Sequence, residues 1–108
     1  MASDPSFVEY VRDQISAAGN ISFKKMFGEY AVYCDGKVVA LVCDNQLFVK
    51  PTAGGRAYLG SVVEASPYPG ARAHFLVDEQ LERPHVVSEL LRLTARELPV
   101  PAPRKSRA

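Results

Sequence analysis

At 108 residues the chain has room for one domain with one core. A composition 47% hydrophobic and 23% charged excludes disorder throughout. Thirteen basic against 12 acidic residues leave a formal charge of +1, so no field of either sign draws the whole molecule onto nucleic acid or membrane.

The opening, MASDPSFVEYVRD, has acids where a secretion signal needs a basic region and an apolar run, and no stretch of about 18 apolar residues follows. A cytoplasmic protein is expected. Asp4 can accept from the free amides of a first helical turn, and Pro5 suits the first helical position. Phe7, Val8, Val11, Ile15 and Ala18 recur at helical spacing behind them, and Gly19 stops the helix. Ser22 to Met26 reads as a strand or extended lead-in, with Gly28 marking a bend.

From Met26 to Pro51 the chain, MFGEYAVYCDGKVVALVCDNQLFVKP, reads as a meander of three short strands. Its turns are Asp35-Gly36 and Asp44-Asn45, dipeptides that tolerate the positive φ of two-residue hairpin loops. Alignment through those turns places Tyr30, Val32, Cys34, Val39, Leu41, Cys43 and Phe48 on one face. Ala31, Tyr33, Val38, Ala40, Val42, Leu47 and Val49 fall on the other. Both faces are apolar, so each calls for a cover. Cys34 and Cys43 lie at opposite ends, about 20 Å apart at a strand rise of 3.3 Å per residue, too far for a disulfide. Two reduced thiols are expected.

After Pro51, Thr52 can cap a short helix through Arg56, Ala57, Tyr58 and Leu59, weakened by Gly54 and Gly55. Pro67-Tyr68-Pro69-Gly70 is loop. Ala71 to Val77 reads as the last strand and Asp78 to Glu82 as a turn. Pro84 opens a final amphipathic helix carrying Val86, Val87, Leu90, Leu91, Thr94 and Leu98. Pro99, Pro101 and Pro103 end it, leaving residues 99–108 as a disordered, basic, proline-rich tail after a single domain over 1–98. The order of elements predicts an α+β two-layer fold: an antiparallel sheet, made of the meander plus a later strand, with the N- and C-terminal helices packed on one face.

Lys25-Met26-Phe27-Gly28 with Tyr30, then Tyr33-x-Asp35-Gly36-Lys37, then Leu47-Phe48-Val49-Lys50, resemble the TfoX N-terminal domain family over roughly residues 5–98. That bacterial group is associated with regulation of natural competence, and the resemblance implies the same helix and strand arrangement. Glu29 stands where many family members have a second glycine, and Ala31 where another small residue or glycine is common. The longer regulators add a separate helical domain that these 108 residues do not contain.

The chemical candidates are sparse. His74 and His85 have no metal-ligand spacing, and no nucleophile or phosphate-loop signature is present. Gly54-Gly55-Arg56 could cradle an anion. Lys24 and Lys25, with Lys37 and Lys50, could form a basic strip near Tyr30 and Phe48. Arg104, Lys105 and Arg107 could add salt-sensitive phosphate contacts without sequence readout. The reading that follows is a non-enzymatic regulatory or interaction module with no catalytic residue, metal, cofactor or small-molecule substrate. A nucleic-acid-binding accessory is the alternative, and an uncharacterised enzyme comes third. Since two helices can cover only one apolar sheet face, a homodimer or protein partner is expected on the other. Its contacts would be Val38, Val42, Leu47 and Val49, or else Val32, Val39, Leu41 and Phe48.

Overall fold

The computed structural model describes residues 3–26 and 29–98. The bend at Gly28 and the tail, with Arg104, Lys105 and Arg107, lie outside the described residues. In chain order the elements are α1 (Pro5–Ile15), β1 (Ile21–Met26), β2 (Glu29–Cys34), β3 (Lys37–Cys43) and β4 (Gln46–Val49). They continue with α2 (Ala53–Leu59), β5 (Glu64–Ala65), β6 (His74–Val77) and α3 (Pro84–Glu97). Short 3-10 turns at Ser16–Ala18 and Glu79–Glu82 flank the long helices. The strands form one antiparallel sheet in the order β1-β2-β3-β4-β6-β5. This is the expected α+β arrangement, with β5 as a short outer strand that the sequence pattern did not reveal.

Pro5 begins α1, and Val8, Val11 and Ile15 form its buried stripe. Asp4 does not cap it with its side chain. The Asp4 amide donates instead to Asn45 Oδ1 at 2.7 Å, tying the start of α1 to the β3–β4 turn. At the other end, Gly19 passes so close to β2 that a Cβ there would meet Asp35 Oδ1 at 3.0 Å and Cys34 Sγ at 3.1 Å. The Asn20 amide then donates to Asp35 Oδ1 at 2.9 Å. Asp35 thus holds the helix exit as well as its own turn.

The pairing of β2 with β3 departs from a plain two-residue hairpin. Cys34 pairs with Lys37 and Tyr33 with Val38, but Val32 pairs with Ala40, so Val39 is an extra residue. Such a bulge shifts the register by one and moves every later side chain to the opposite face. Val39 and Ala40 both turn into the helix-side core, where Val32, Cys34, Val42, Leu47, Val49, Phe75 and Val77 join them. Uniform alternation assigned Val32 and Cys34 to the face opposite Val42, Leu47 and Val49; the bulge unites them. Of the eight expected contact residues, Val32, Val39, Val42, Leu47 and Val49 are 0% exposed beneath the helices, where no partner reaches them. Val38 and Leu41 remain half-buried and Phe48 is buried, all on the helix-free face.

That face also has a partial cover from its own chain, where only a partner was expected. Ala31, Phe48 and Cys43 are buried although they lie outside the helix-side cluster. Pro67, Tyr68 and Pro69, from the β5–β6 connection, stand against the same face.

On the covered side α3 is the hub. Val87, Leu90 and Leu91 are fully buried in its stripe. Its buried Ser88 donates to the Gln14 carbonyl at 3.0 Å, and buried Thr94 donates to Leu90 O at 2.8 Å, so neither hydroxyl is left without a partner. Arg92 donates to the Ala17 carbonyl at 2.8 Å and pairs with Glu89. Lys37, at the start of β3, donates from Nζ to the carbonyls of Ala95 at 2.7 Å and Leu98 at 2.9 Å. A cation on the last carbonyls of a helix satisfies orphan acceptors and opposes the dipole. The Asp35-Gly36-Lys37 motif is therefore a structural joint between the sheet and both long helices.

Lys37→Met keeps the aliphatic stem and removes the charged donor. It is expected to lower stability by about 1.5–3 kcal/mol, the worth of hydrogen bonds to a charged group, seen as a lower urea midpoint at unchanged slope. An unchanged midpoint would show that the lysine is dispensable to the joint. Cys34 gives a second expectation. Burial first, and then Asp35, push its thiol above the ordinary value, while Arg92 pulls the other way. The folded chain holds this proton more tightly than the unfolded one, so the stabilisation is complete below about pH 8.5, the ordinary thiol value, and is lost as pH rises through the folded value. The urea midpoint should fall in alkali, and Cys34→Ala should flatten that fall; equal slopes in the two proteins would contradict it.

Candidate functional site

The helix-free face carries a cleft of about 620 Å³. Leu41 and Cys43 line it from β3, Met26, Glu29 and Tyr30 from the junction of β1 and β2, and Asp44 from the β3–β4 turn. Pro67, Tyr68 and Pro69 form the wall supplied by the β5–β6 connection. Tyr68 is 56% exposed and Met26 41% exposed, so both present apolar surface at the mouth. Two carboxylates and no lysine or arginine lie among the described lining residues.

Local conformation fixes the acidic end. Asp44 and Asn45 adopt φ of 52° and 58°, the left-handed pair of a tight hairpin turn. Glu29 Oε2 accepts from the Asp44 amide at 3.1 Å, and Oε1 accepts from Ser3 Oγ at 2.7 Å. Ser3 Oγ in turn accepts from the Asn45 amide at 3.0 Å. The residue that replaces a common glycine thus pins the turn and the chain start with one carboxylate. A departure from a motif pattern was the signal for this anchor, and its role could not be read without the turn beside it. Burial first, then Glu29, raise the Cys43 thiol; the N-terminal ammonium pulls the other way and Asp44 adds to the rise. Cys43 borders the cleft while Cys34 lies in the helix-side core, and both are free thiols.

The other candidates are mostly occupied within the fold. At Gly54-Gly55-Arg56 the Gly54 amide donates to Glu97 Oε1 at 3.1 Å, and a Cβ at Gly54 would collide with that carboxylate. The anion in this cradle is the protein's own. Thr52 accepts from the Gly55 amide at 2.9 Å as expected of a cap. Arg56 pairs with Glu64 at 2.7 Å and lies over the Phe75 ring at 5.3 Å. Lys24 and Lys25 are both exposed on the edge strand β1, where strand alternation sends them to opposite faces. Lys37 is engaged with α3, so the basic strip is not assembled. A smaller hollow of about 220 Å³ lies between Asp35, Lys37, Arg92 and Arg96, and of its cations Lys37 and Arg92 already donate to carbonyls. His74 Nδ1 lies 2.9 Å from Arg72 O and His85 is exposed in the first turn of α3. Among the described residues no three His, Cys, Asp or Glu side chains are grouped as a metal site needs, and no helix is long and apolar enough to cross a membrane.

The family model for the TfoX N-terminal domain matches residues 13–97. An uncharacterised 12.7 kDa protein from the trpE 5′ region of Spirochaeta aurantia is 41% identical over 107 residues, covering 99% of this chain and 93% of that protein. The matched span runs from the last turn of α1 to the last residue of α3, taking in the whole sheet, the Asp35-Gly36-Lys37 joint and all nine described cleft residues. The chain belongs to the TfoX N-terminal domain family.

Proposed function

We propose that this protein is a non-enzymatic regulatory module that works through protein contact at the helix-free face of its sheet. The observation that carries the reading is the cleft. It is an apolar, open-mouthed hollow on a face without helices, and the charged groups among its described lining residues are two carboxylates, one of them spent on the turn beside it. An active site needs polar groups converging on one reacting atom, whereas an apolar floor with a charged rim suits a partner's side chains. The family's association with competence regulation fits a contact-based role in transcription control.

Leu41 is half-buried in the cleft, so Leu41→Asp introduces charge there without touching the helix-side core. Tagged protein isolated from cells that make it should carry a stoichiometric protein partner, or a second copy, and Leu41→Asp should lose it at unchanged helix content. The isolated protein should bind duplex DNA no more tightly than about 10 μM near physiological salt, because few phosphates can be neutralised at once. Sequence-specific nanomolar DNA binding that survives Leu41→Asp would replace this reading with the nucleic-acid accessory.

A further inference from the structure

We propose that the cleft receives the proline-rich basic segment Pro99–Arg107 of a second copy of this chain, so that two copies exchange their C-terminal segments. This rests on the preceding reading of the cleft as a protein-contact surface and names the partner. The cleft presents the Tyr68 ring with Pro67 and Pro69, an apolar wall of rings, while the Tyr30 side chain packs against the helix-side core; Glu29 and Asp44 stand at one end, with no lysine or arginine among the described lining residues. Aromatic-lined grooves take proline-rich segments because the extended left-handed conformation of such segments is already populated before binding. The segment beyond α3 offers the complementary chemistry in order: Pro99, Pro101 and Pro103, then Arg104, Lys105 and Arg107, with no acid. Rings meet rings, and cations meet the carboxylates and the Tyr68 face.

Reach assigns the segment to the other copy. The Leu98 carbonyl is held by Lys37 at the first residue of β3, on the helix side. Cys43 and Asp44 lie at the far end of that strand, about 20 Å away at a strand rise of 3.3 Å per residue. At 3.1 Å per residue in the extended proline conformation, Arg104 stands only about 19 Å beyond Leu98. The path from the same chain must also round the sheet from the helix layer, so its prolines and first two cations fall short of the acidic end. A second copy approaching the helix-free face has no such limit, and a two-fold arrangement satisfies both clefts at once.

The test uses the full-length chain and two sets of substitutions away from the core. Arg104→Glu, Lys105→Glu and Arg107→Glu together reverse the segment's charge. Tyr68→Ala with Asp44→Asn strips the cleft at an exposed ring and at a turn position whose left-handed φ asparagine also tolerates. Sedimentation equilibrium over a micromolar to millimolar series should show the native chain moving from 11.8 kDa towards twice that mass. Each variant should associate about tenfold or more weakly, with far-UV circular dichroism unchanged. An equimolar mixture of the two variants should recover part of the association, since one intact cleft then meets one intact segment. Association that survives either variant, or no recovery on mixing, overturns the proposal. So does a monomer at every concentration, including one whose Tyr68 ring is contacted by its own segment. A synthetic peptide of unrelated basic proline-rich sequence separates the two levels of the argument: if it binds the cleft of a chain that never self-associates, the exchange falls and the contact surface stands.

Discussion

The extra residue in β3 decides which side of the sheet becomes core. Lys37 and Val38 pair with β2 as a tight hairpin demands, and Val39 is then passed over so that Ala40 meets Val32. Beyond that point each inward position of β3 and β4 is the opposite of what uniform alternation gives. Without the bulge, Val42, Leu47 and Val49 would face away from Val32 and Cys34, and two helices would have two half-cores to cover. With it, the β-branched residues gather beneath α1 and α3. The other face is left with Leu41, Phe48, Cys43 and a hollow.

The rest of the structure keeps that choice in place. α3 is held by the Lys37 ammonium at its C-terminal carbonyls, by Ser88 and Arg92 on the α1 side, and by Glu97 reaching the start of α2. Most of these are side-chain bonds to backbone groups, which fix orientation at helix ends where the backbone lacks partners of its own. Glu29 does the corresponding work at the opposite end of the sheet, binding the chain start and the Asp44-Asn45 turn. Because both ends are pinned, the cleft between the sheet and Tyr68 has one rigid wall, and its acidic end is fixed in place.

Helical spacing in 5–18 and 84–98 and the two left-handed turns were legible because each depends on nearest neighbours along the chain. The sheet faces were not. Val38-Val39-Ala40 offers no glycine or proline to mark a bulge, and all three residues suit either face, so local pattern carried no sign of the slip. Glu29, Lys37 and Glu97 were opaque for a related reason: each acts on a backbone group 15 to 61 residues away. At Gly54-Gly55-Arg56, named as a segment that could cradle an anion, the Gly54 amide is taken by the Glu97 carboxylate from the end of α3. The cleft itself needed a loop, Pro67-Tyr68-Pro69, to stand against a face that was expected to await a partner.

The placement of Leu41 and Val42 on opposite faces tests this account most directly, because the bulge, the core and the cleft all depend on it. In a methyl-labelled sample, nuclear Overhauser contacts should join the Val42 methyls to the leucines of α3 and the Leu41 methyls to the Tyr68 ring. Leu41 methyls in contact with α3, and Val42 methyls with Tyr68, would place the bulge elsewhere and remove the cleft on which the proposed contacts stand.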